Sequence, residues 1–148
     1  MEYLTVHDLV WINNTVTGKV NGYNYVTLEA AMAGQYCYGQ SQDVQGQAAK
    51  LLERLLGKAP FQSGNRRSAF IAVLTFLNAN GFATSVGDKA AATILTEVAT
   101  GKSTATEAIS ALVSVAKAPL STAIPLRKLI GHECNLHVEA LQLLAAGD

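Results

Sequence analysis

Apolar residues recur along this chain at three- and four-residue spacings, broken by short polar stretches, a rhythm that predicts amphipathic helices. Leu4, Leu9, Trp11, Ile12 and Val16 supply the apolar face of a first helix, opened by a near capping box of Thr5 and Asp8 and ended at Gly18. The segment from Lys19 to Val26 is polar, with Asn21-Gly22 marking a turn, and Thr27 is placed to cap a second helix from Leu28 to about Tyr36. Gly39 to Gln42 reads as a loop or short hairpin arm. From Asp43 the helical pattern returns through Val44, Ala48, Leu51, Leu52, Leu55 and Leu56, with Gly57 as the expected stop. After the loop Lys58 to Gly64 comes a run that is apolar nearly all round, Ala69, Phe70, Ile71, Val73, Leu74, Phe76 and Leu77, ended by Asn80-Gly81. Such a helix belongs at the centre of a fold. Asp88 opens a further helix to about Thr100. The Thr104–Glu107 box opens another to about Lys117. Pro119 and Pro125 bracket a break before a last helix, Leu126 to about Leu144. Strand-type alternation is nearly absent and there is no internal repeat or linker, so the expectation is one all-α domain over residues 1–148: a compact bundle around a buried central helix, with a short β-hairpin flap as a further element.

Composition narrows the function classes. With 49% hydrophobic and 15% charged residues the chain is too apolar to stay unfolded. A formal net charge of +0 removes the default attraction to nucleic acid or acidic membranes, and leaves self-association as a homo-oligomer open. No stretch is long and apolar enough to span a bilayer, and the first residues lack a signal peptide's basic and apolar regions, so a cytoplasmic location is expected. Cys37 and Cys134 fit no metal or redox spacing, which suits two free thiols in a reducing compartment.

The candidate chemistry lies in Ala59-Pro60-Phe61-Gln62-Ser63-Gly64-Asn65-Arg66-Arg67-Ser68, a loop that runs straight into the start of the buried helix. A helix start presents unpaired backbone N–H groups and partial positive charge. Gly64 lets the backbone approach a ligand, and Asn65, Arg66 and Arg67 add an amide and two guanidinium groups at the same end, a combination suited to phosphate or carboxylate. Two arginines in a first turn oppose the helix dipole, at ~0.3–1 kcal/mol each, unless an anion sits there. The alternative is internal: Arg67 pairs with a carboxylate such as Glu29 or Glu53, and Arg66 is solvated.

This segment resembles the signature of the Fic/Doc (death-on-curing) family, His-Pro-Phe-x-(Asp/Glu)-Gly-Asn-(Gly/Lys)-Arg. Pro60, Phe61, Gly64, Asn65 and Arg67 match it, and Ser68-Ala69 is similar to the family's Thr-Ala. The resemblance extends to Leu4-Thr5, Trp11-Ile12-Asn13, Leu28-Glu29, Gln47 to Leu52 and Leu77 to Gly81, roughly the first two thirds of the chain. Arg66 at the Gly/Lys position is nearer to Doc than to AMP-transferring Fic proteins. The resemblance implies transfer of a phosphate-containing group from a nucleotide to a protein hydroxyl, with the histidine as general base, the acidic residue holding Mg²⁺, and the Gly-Asn and final arginine binding phosphate oxygens. It therefore implies a nucleotide or phosphate cradle at Ser63, Gly64, Asn65, Arg66 and Arg67.

Two departures change what the cradle does. Ala59 stands at the histidine position and Ser63 at the acidic one. Losing a positioned base costs ~10²–10⁴-fold, and a serine alone is a poor Mg²⁺ ligand. His7, His132, His137 and Lys58 are the remaining candidates for a base, and none is assigned a catalytic role. Gly34 to Asp43 falls where the family has its flap, an arm that docks a protein target by strand addition. Tyr36 and Tyr38 serve either that arm or simple packing. In His132-Glu133-Cys134-Asn135-Leu136-His137 the histidines are five apart, one too many for a zinc-protease helix, so a solvated or packed face is expected rather than a metal site. Three readings follow. The first is a degenerate Fic/Doc-like protein that binds ATP, another nucleotide or another anion at Gly64–Arg67, a protein partner at the flap groove, or both, without turnover. The second is an active Doc-like kinase or nucleotidyl transferase with a non-standard base. The third is a structural interaction module. Doc-like members imply a small antitoxin-like partner, and so a toxin–antitoxin-like setting.

Overall fold

The computed structural model describes residues 1–36, 43–84, 86–116 and 124–148. They form eight α-helices and one short two-stranded ribbon, in keeping with the all-α expectation. Helix α1 (Val6–Thr17) has a reciprocal capping box: the Asp8 N–H donates to Thr5 Oγ1 at 3.1 Å, and the Thr5 N–H donates to Asp8 Oδ2 at 2.8 Å. It stops at Gly18, whose N–H closes on Asn14 O. Helix α2 (Tyr25–Met32) begins three residues before the expected Leu28, because the cap is Asn24, which accepts from the Thr27 N–H at 2.9 Å, and not Thr27 itself. A 3₁₀ turn, Ala33–Gln35, continues it. The buried Gln35 amide then ties the turn to the chain start, accepting from the Leu4 N–H and donating to Leu4 O. Of the expected flap, Gly34 to Asp43, Gly34 and Gln35 belong to this 3₁₀ turn, while residues 37–42, with Cys37 and Tyr38, lie outside the described residues. Tyr36 packs its ring on Tyr3, 4.9 Å between centroids.

Helix α3 (Val44–Lys58) passes through Gly57 and ends one turn position later, with Ala59 in the left-handed region at φ 42°. Helix α4 (Asn65–Ala79) is the centre of the fold: Ser68 to Leu77 are all buried, including Phe70, Phe76 and Thr75. Helices α1, α3, α7 and α8 pack around it. Strand β1 (Phe82–Thr84) follows, then α5 (Asp88–Ala99) and α6 (Ala105–Leu112), the latter capped by Thr104 accepting from the Glu107 N–H. Helix α6 stops well before Lys117, because Val113–Ala116 turns into β2 and pairs antiparallel with β1, Phe82 opposite Ala116 and Thr84 opposite Val113. Val113 opens this strand, where a branched side chain loses less freedom than in a helix.

The single last helix expected over Leu126–Leu144 is two helices, α7 (Leu126–Leu136) and α8 (Val138–Ala145). The break is His137, at φ −117° and ψ 36°. Its ring reaches Asp88 at the start of α5, and the same Asp88 carboxylate accepts from the Ala140 N–H in the first turn of α8. The cap of α8 is thus supplied by another helix. No helix of the described residues is long and apolar enough to cross a membrane.

Two substitutions check this account. Phe76→Ala empties a fully buried ring site in α4 and is expected to cost ~3–5 kcal/mol. Asn24→Ala removes one cap and is expected to cost ~1 kcal/mol. Urea unfolding with an unchanged denaturant slope reads both.

Candidate functional site

The loop between α3 and α4 is held from two sides. Ala59 reverses the chain at the end of α3, its N–H donating to Leu55 O at 3.2 Å. Pro60 to Gln62 then lie against Gly22 to Asn24: the Asn24 N–H donates to Pro60 O at 3.0 Å and the Gln62 N–H to Gly22 O at 2.9 Å. Tyr23 and Phe61 meet across this pairing as tilted rings with centroids 5.9 Å apart. The Asn65 side chain closes the loop on itself, accepting from the Phe61 N–H at 2.9 Å and donating to Phe61 O at 2.8 Å.

The inner side rests on a buried polar cluster from α1 and the turn after it. Asn13 is fully buried, and its amide donates to Ser63 O at 2.9 Å and Ser68 Oγ at 3.0 Å. Asn21 donates to Asn13 Oδ1 and Thr17 Oγ1, both at 3.0 Å, and accepts from Ser63 Oγ at 3.0 Å. Every member finds a partner, as buried amides and hydroxyls must. Gly64, at φ 80°, is the N-cap of α4 and sits so close to α1 that a Cβ would collide with Thr17 Cγ2. The position requires glycine on both counts.

The outer side carries the charge. The Arg66 N–H donates to Asp148 Oδ1 at 2.7 Å and the Arg67 N–H to Asp148 Oδ2 at 3.3 Å. The Arg67 guanidinium adds Nε–H to Asp148 Oδ2 at 2.7 Å and reaches back to Val16 O at 3.0 Å. The Asp148 side chain is only 2% exposed. Two first-turn N–H groups and one guanidinium therefore converge on one carboxylate. Gly147 packs against the Arg66 guanidinium so closely that a side chain there would strike it. Beside this contact lies a cavity of about 230 Å³ whose lining includes Ala59, Gln62, Gly64, Arg66, Gly147 and Asp148.

The structure thus places Ser63, Gly64, Asn65, Arg66 and Arg67 in one turn but gives them separate jobs. The side chains of Ser63 and Asn65 brace the loop, Gly64 sets its path, and the Arg66 backbone and the Arg67 backbone and side chain meet the Asp148 carboxylate. Arg67 pairs with Asp148, not with Glu29 or Glu53. Asp148 and the inner asparagines Asn13 and Asn21 were missed in the sequence. Asn13 carried a local signal, a polar residue within the apolar face of α1, whereas Asp148 carried none. No histidine lines the cavity. His7 borders a groove between the start of α1 and α2 instead, and His132 is exposed.

A second polar cluster joins α5, α7 and α8. His137 Nδ1 lies 2.8 Å from Asp88 Oδ1, and His137 Nε2 lies 3.4 Å from Glu133 Oε2. Glu133 Oε1 accepts from Asn78 Nδ2 of α4 at 2.8 Å, and the edge of the imidazole meets Phe70. Glu133 raises the affinity of His137 for its proton; burial opposes this, Asp88 adds to it, and the balance is a pKa above the ordinary 6.5. Burial pushes Glu133 up, but the neighbouring His137 ring, the bond from Asn78 and the charges of His137 and His132 outweigh that and hold it below its ordinary value. The expected packed face is therefore a buried ion cluster at the i, i+4 pair Glu133–His137. The neighbouring Cys134 thiol is pushed up to about 11 by burial and by the Glu133 charge, which makes it inert at neutral pH. Among the described residues no group of three or more His, Cys, Asp and Glu side chains is arranged to hold a metal ion.

No family model, no curated protein and no solved structure matches this chain.

Ala59 occupies backbone space that favours glycine. Ala59→Gly is expected to raise stability by up to about 1 kcal/mol, and a higher urea midpoint is the check.

Proposed function

We propose that the α4 start is an anion-binding cradle that takes the phosphate of a nucleotide, or a ligand of like charge, and does so without turnover. The observation that carries this reading is the Asp148 carboxylate seated on the Arg66 and Arg67 N–H groups and on the Arg67 guanidinium. A carboxylate and a phosphoryl group present the same pair of anionic oxygens to such donors. The match of Pro60, Phe61, Gly64, Asn65 and Arg67 to the Fic/Doc signature adds the nucleotide to the reading. It also suggests kinship with that family, and with it a protein target or small antitoxin-like partner.

Turnover is a different matter. Ala59 offers no proton acceptor at the signature's histidine position. The Mg²⁺ that the signature implies has no fitting donors: Ser63 Oγ is engaged with Asn21, and the carboxylate at the loop, Asp148, is neutralised by Arg67. Base catalysis at the signature's histidine position and neutralisation of a transferred phosphoryl group by a metal are both left without the residues the signature assigns to them.

One observation favours the structural reading in its place. The Asp148 side chain is nearly fully covered, and its pair with Arg67 fastens the segment after α8 to the central helix. Calorimetric titration of ATP, with and without Mg²⁺, separates the two. On the cradle reading Asp148→Ala binds ATP at least about tenfold more tightly than the wild type, and Arg67→Ala abolishes binding. Sulfate would also restore thermal stability to Asp148→Ala. A loss of stability in Asp148→Ala that neither ATP nor sulfate restores, with no heat of binding at millimolar nucleotide, overturns the cradle and leaves the fastening.

A further inference from the structure

Two cavities adjoin along the last turns of α3. The one beside the loop, of about 230 Å³, is small for a whole ligand, because binding pockets run to roughly 300–1,000 Å³. The second, of about 370 Å³, lies between α3, the end of α5 and the start of α6. Leu56 and Ala99 line both, so the two are neighbours on one surface.

The outer cavity is walled by helix ends. Glu53, Leu56 and Gly57 are three and four residues apart and share one face of α3. Val98 and Ala99 bring the end of α5. The turn that follows is tight: the Lys102 and Ser103 N–H groups donate to Glu97 O at 2.8 and 3.2 Å, and Thr104 then caps α6. The lining is apolar at Leu56, Val98, Ala99 and Ala105, carries hydroxyls at Ser103 and Thr106, and has the Glu53 carboxylate as its charge. Glu53 borders only the outer cavity and Ala59 only the inner one, and ~9 Å of α3 separates them at 1.5 Å per residue. The surface thus runs from the donors of the α4 start, across an apolar shelf, to a group that can only accept.

We infer that the two cavities are one binding site for a nucleoside monophosphate whose base carries an amino group. The inference rests on the reading of the α4 start as an anion site and names the ligand for it. The phosphate takes the place of Asp148 on the Arg66 and Arg67 N–H groups and the Arg67 guanidinium. The ribose and base lie along Leu56 and Ala99, within reach of the Ser103 and Thr106 hydroxyls, and the amino group donates to Glu53. A carboxylate accepts from an amino edge and repels a carbonyl edge, so it selects between bases of equal size. Inorganic phosphate would leave the outer cavity unused, and a free nucleoside would leave the cationic end unmet.

Gly57 offers a way to fill the outer cavity while sparing the fold. A Cβ there meets no atom within 4 Å, and most residues suit a helix better than glycine. Calorimetric titration of Asp148→Ala with inorganic phosphate, cytidine monophosphate (CMP) and uridine monophosphate (UMP) is the test, because the two nucleotides are alike in size and differ at the amino group. CMP is expected to bind about tenfold more tightly than phosphate, from the ring area it buries, and more tightly than UMP. Adding Gly57→Leu should bring CMP to the level of phosphate and leave phosphate unchanged. Adding Glu53→Gln should abolish the preference for CMP over UMP, since an amide both donates and accepts. In the wild type, CMP at millimolar concentration should shift the NMR amide signals of Val98, Ala99 and Ala105 together with those of Arg66 and Arg67, and phosphate only the last two. If phosphate binds Asp148→Ala and CMP binds no more tightly, or if Gly57→Leu leaves CMP unaffected, the joined site is overturned and the anion cradle stands. Equal affinity for CMP and UMP overturns the amino-bearing base. If neither phosphate nor CMP binds Asp148→Ala or shifts the wild-type amides, the cradle falls and the joined site with it.

Discussion

The first turn of α4 sets the terms for the rest of this molecule. A helix buried on every side from Ser68 to Leu77 must begin near the surface, because its leading N–H groups have no partners within the helix. Here the same turn carries Arg66 and Arg67, so unpaired donors and positive side chains add to the positive end of the helix dipole. Something negative or hydrogen-bonding has to meet them. The inner half of the problem is solved by Asn13, Asn21 and Thr17, which brace the loop from α1 without adding charge. The outer half is solved by Asp148, which supplies a full carboxylate from the opposite end of the chain.

Much of this was legible locally. Thr5, Asp8 and Gly18 mark α1 because caps are written within a few residues of the helices they end, and the unbroken apolar run of α4 has no other place than the centre. The loop was legible too, since a glycine followed by an amide and two arginines at a helix start has few uses. Local rules failed where distant contacts overrode them. Gly57 is a suitable helix stop, yet α3 runs on to Lys58, with Ala59 as its left-handed cap and Pro60 to Gln62 laid against Gly22 to Asn24. Leu126 to Leu144 has a continuous helical pattern, yet His137 breaks it for a bond to Asp88, 49 residues away. The Asp148 contact spans 82 residues and leaves no trace in any window of sequence.

The loop also shows why a signature and a chemistry are separable. Its residues divide into those that shape the turn and those that face outward. Asn65 and Gly64 have structural work that any occupant of the cradle would require, since one pins the loop to Phe61 and the other lets it pass Thr17. Ala59 and Ser63 stand where the resembled signature has a base and an acidic residue, and neither carries such a group. On the proposed reading, recognition and reaction depend on different atoms. Arg67 is held from two sides. Its guanidinium bonds Val16 O as well as Asp148, so its orientation survives the departure of the carboxylate.

That last point bears on the proposed anion site. If Arg67 were oriented by Asp148 alone, removing the carboxylate would scatter the donors and leave nothing for a ligand to find. Val16 O, the Asn65 clasp and the asparagine cluster hold the donors in place independently of α8. The α4 start is preorganised on one side by α1 and met on the other by the Asp148 carboxylate. On the proposed reading, an external anion competes with that one carboxylate rather than with the folding of the loop.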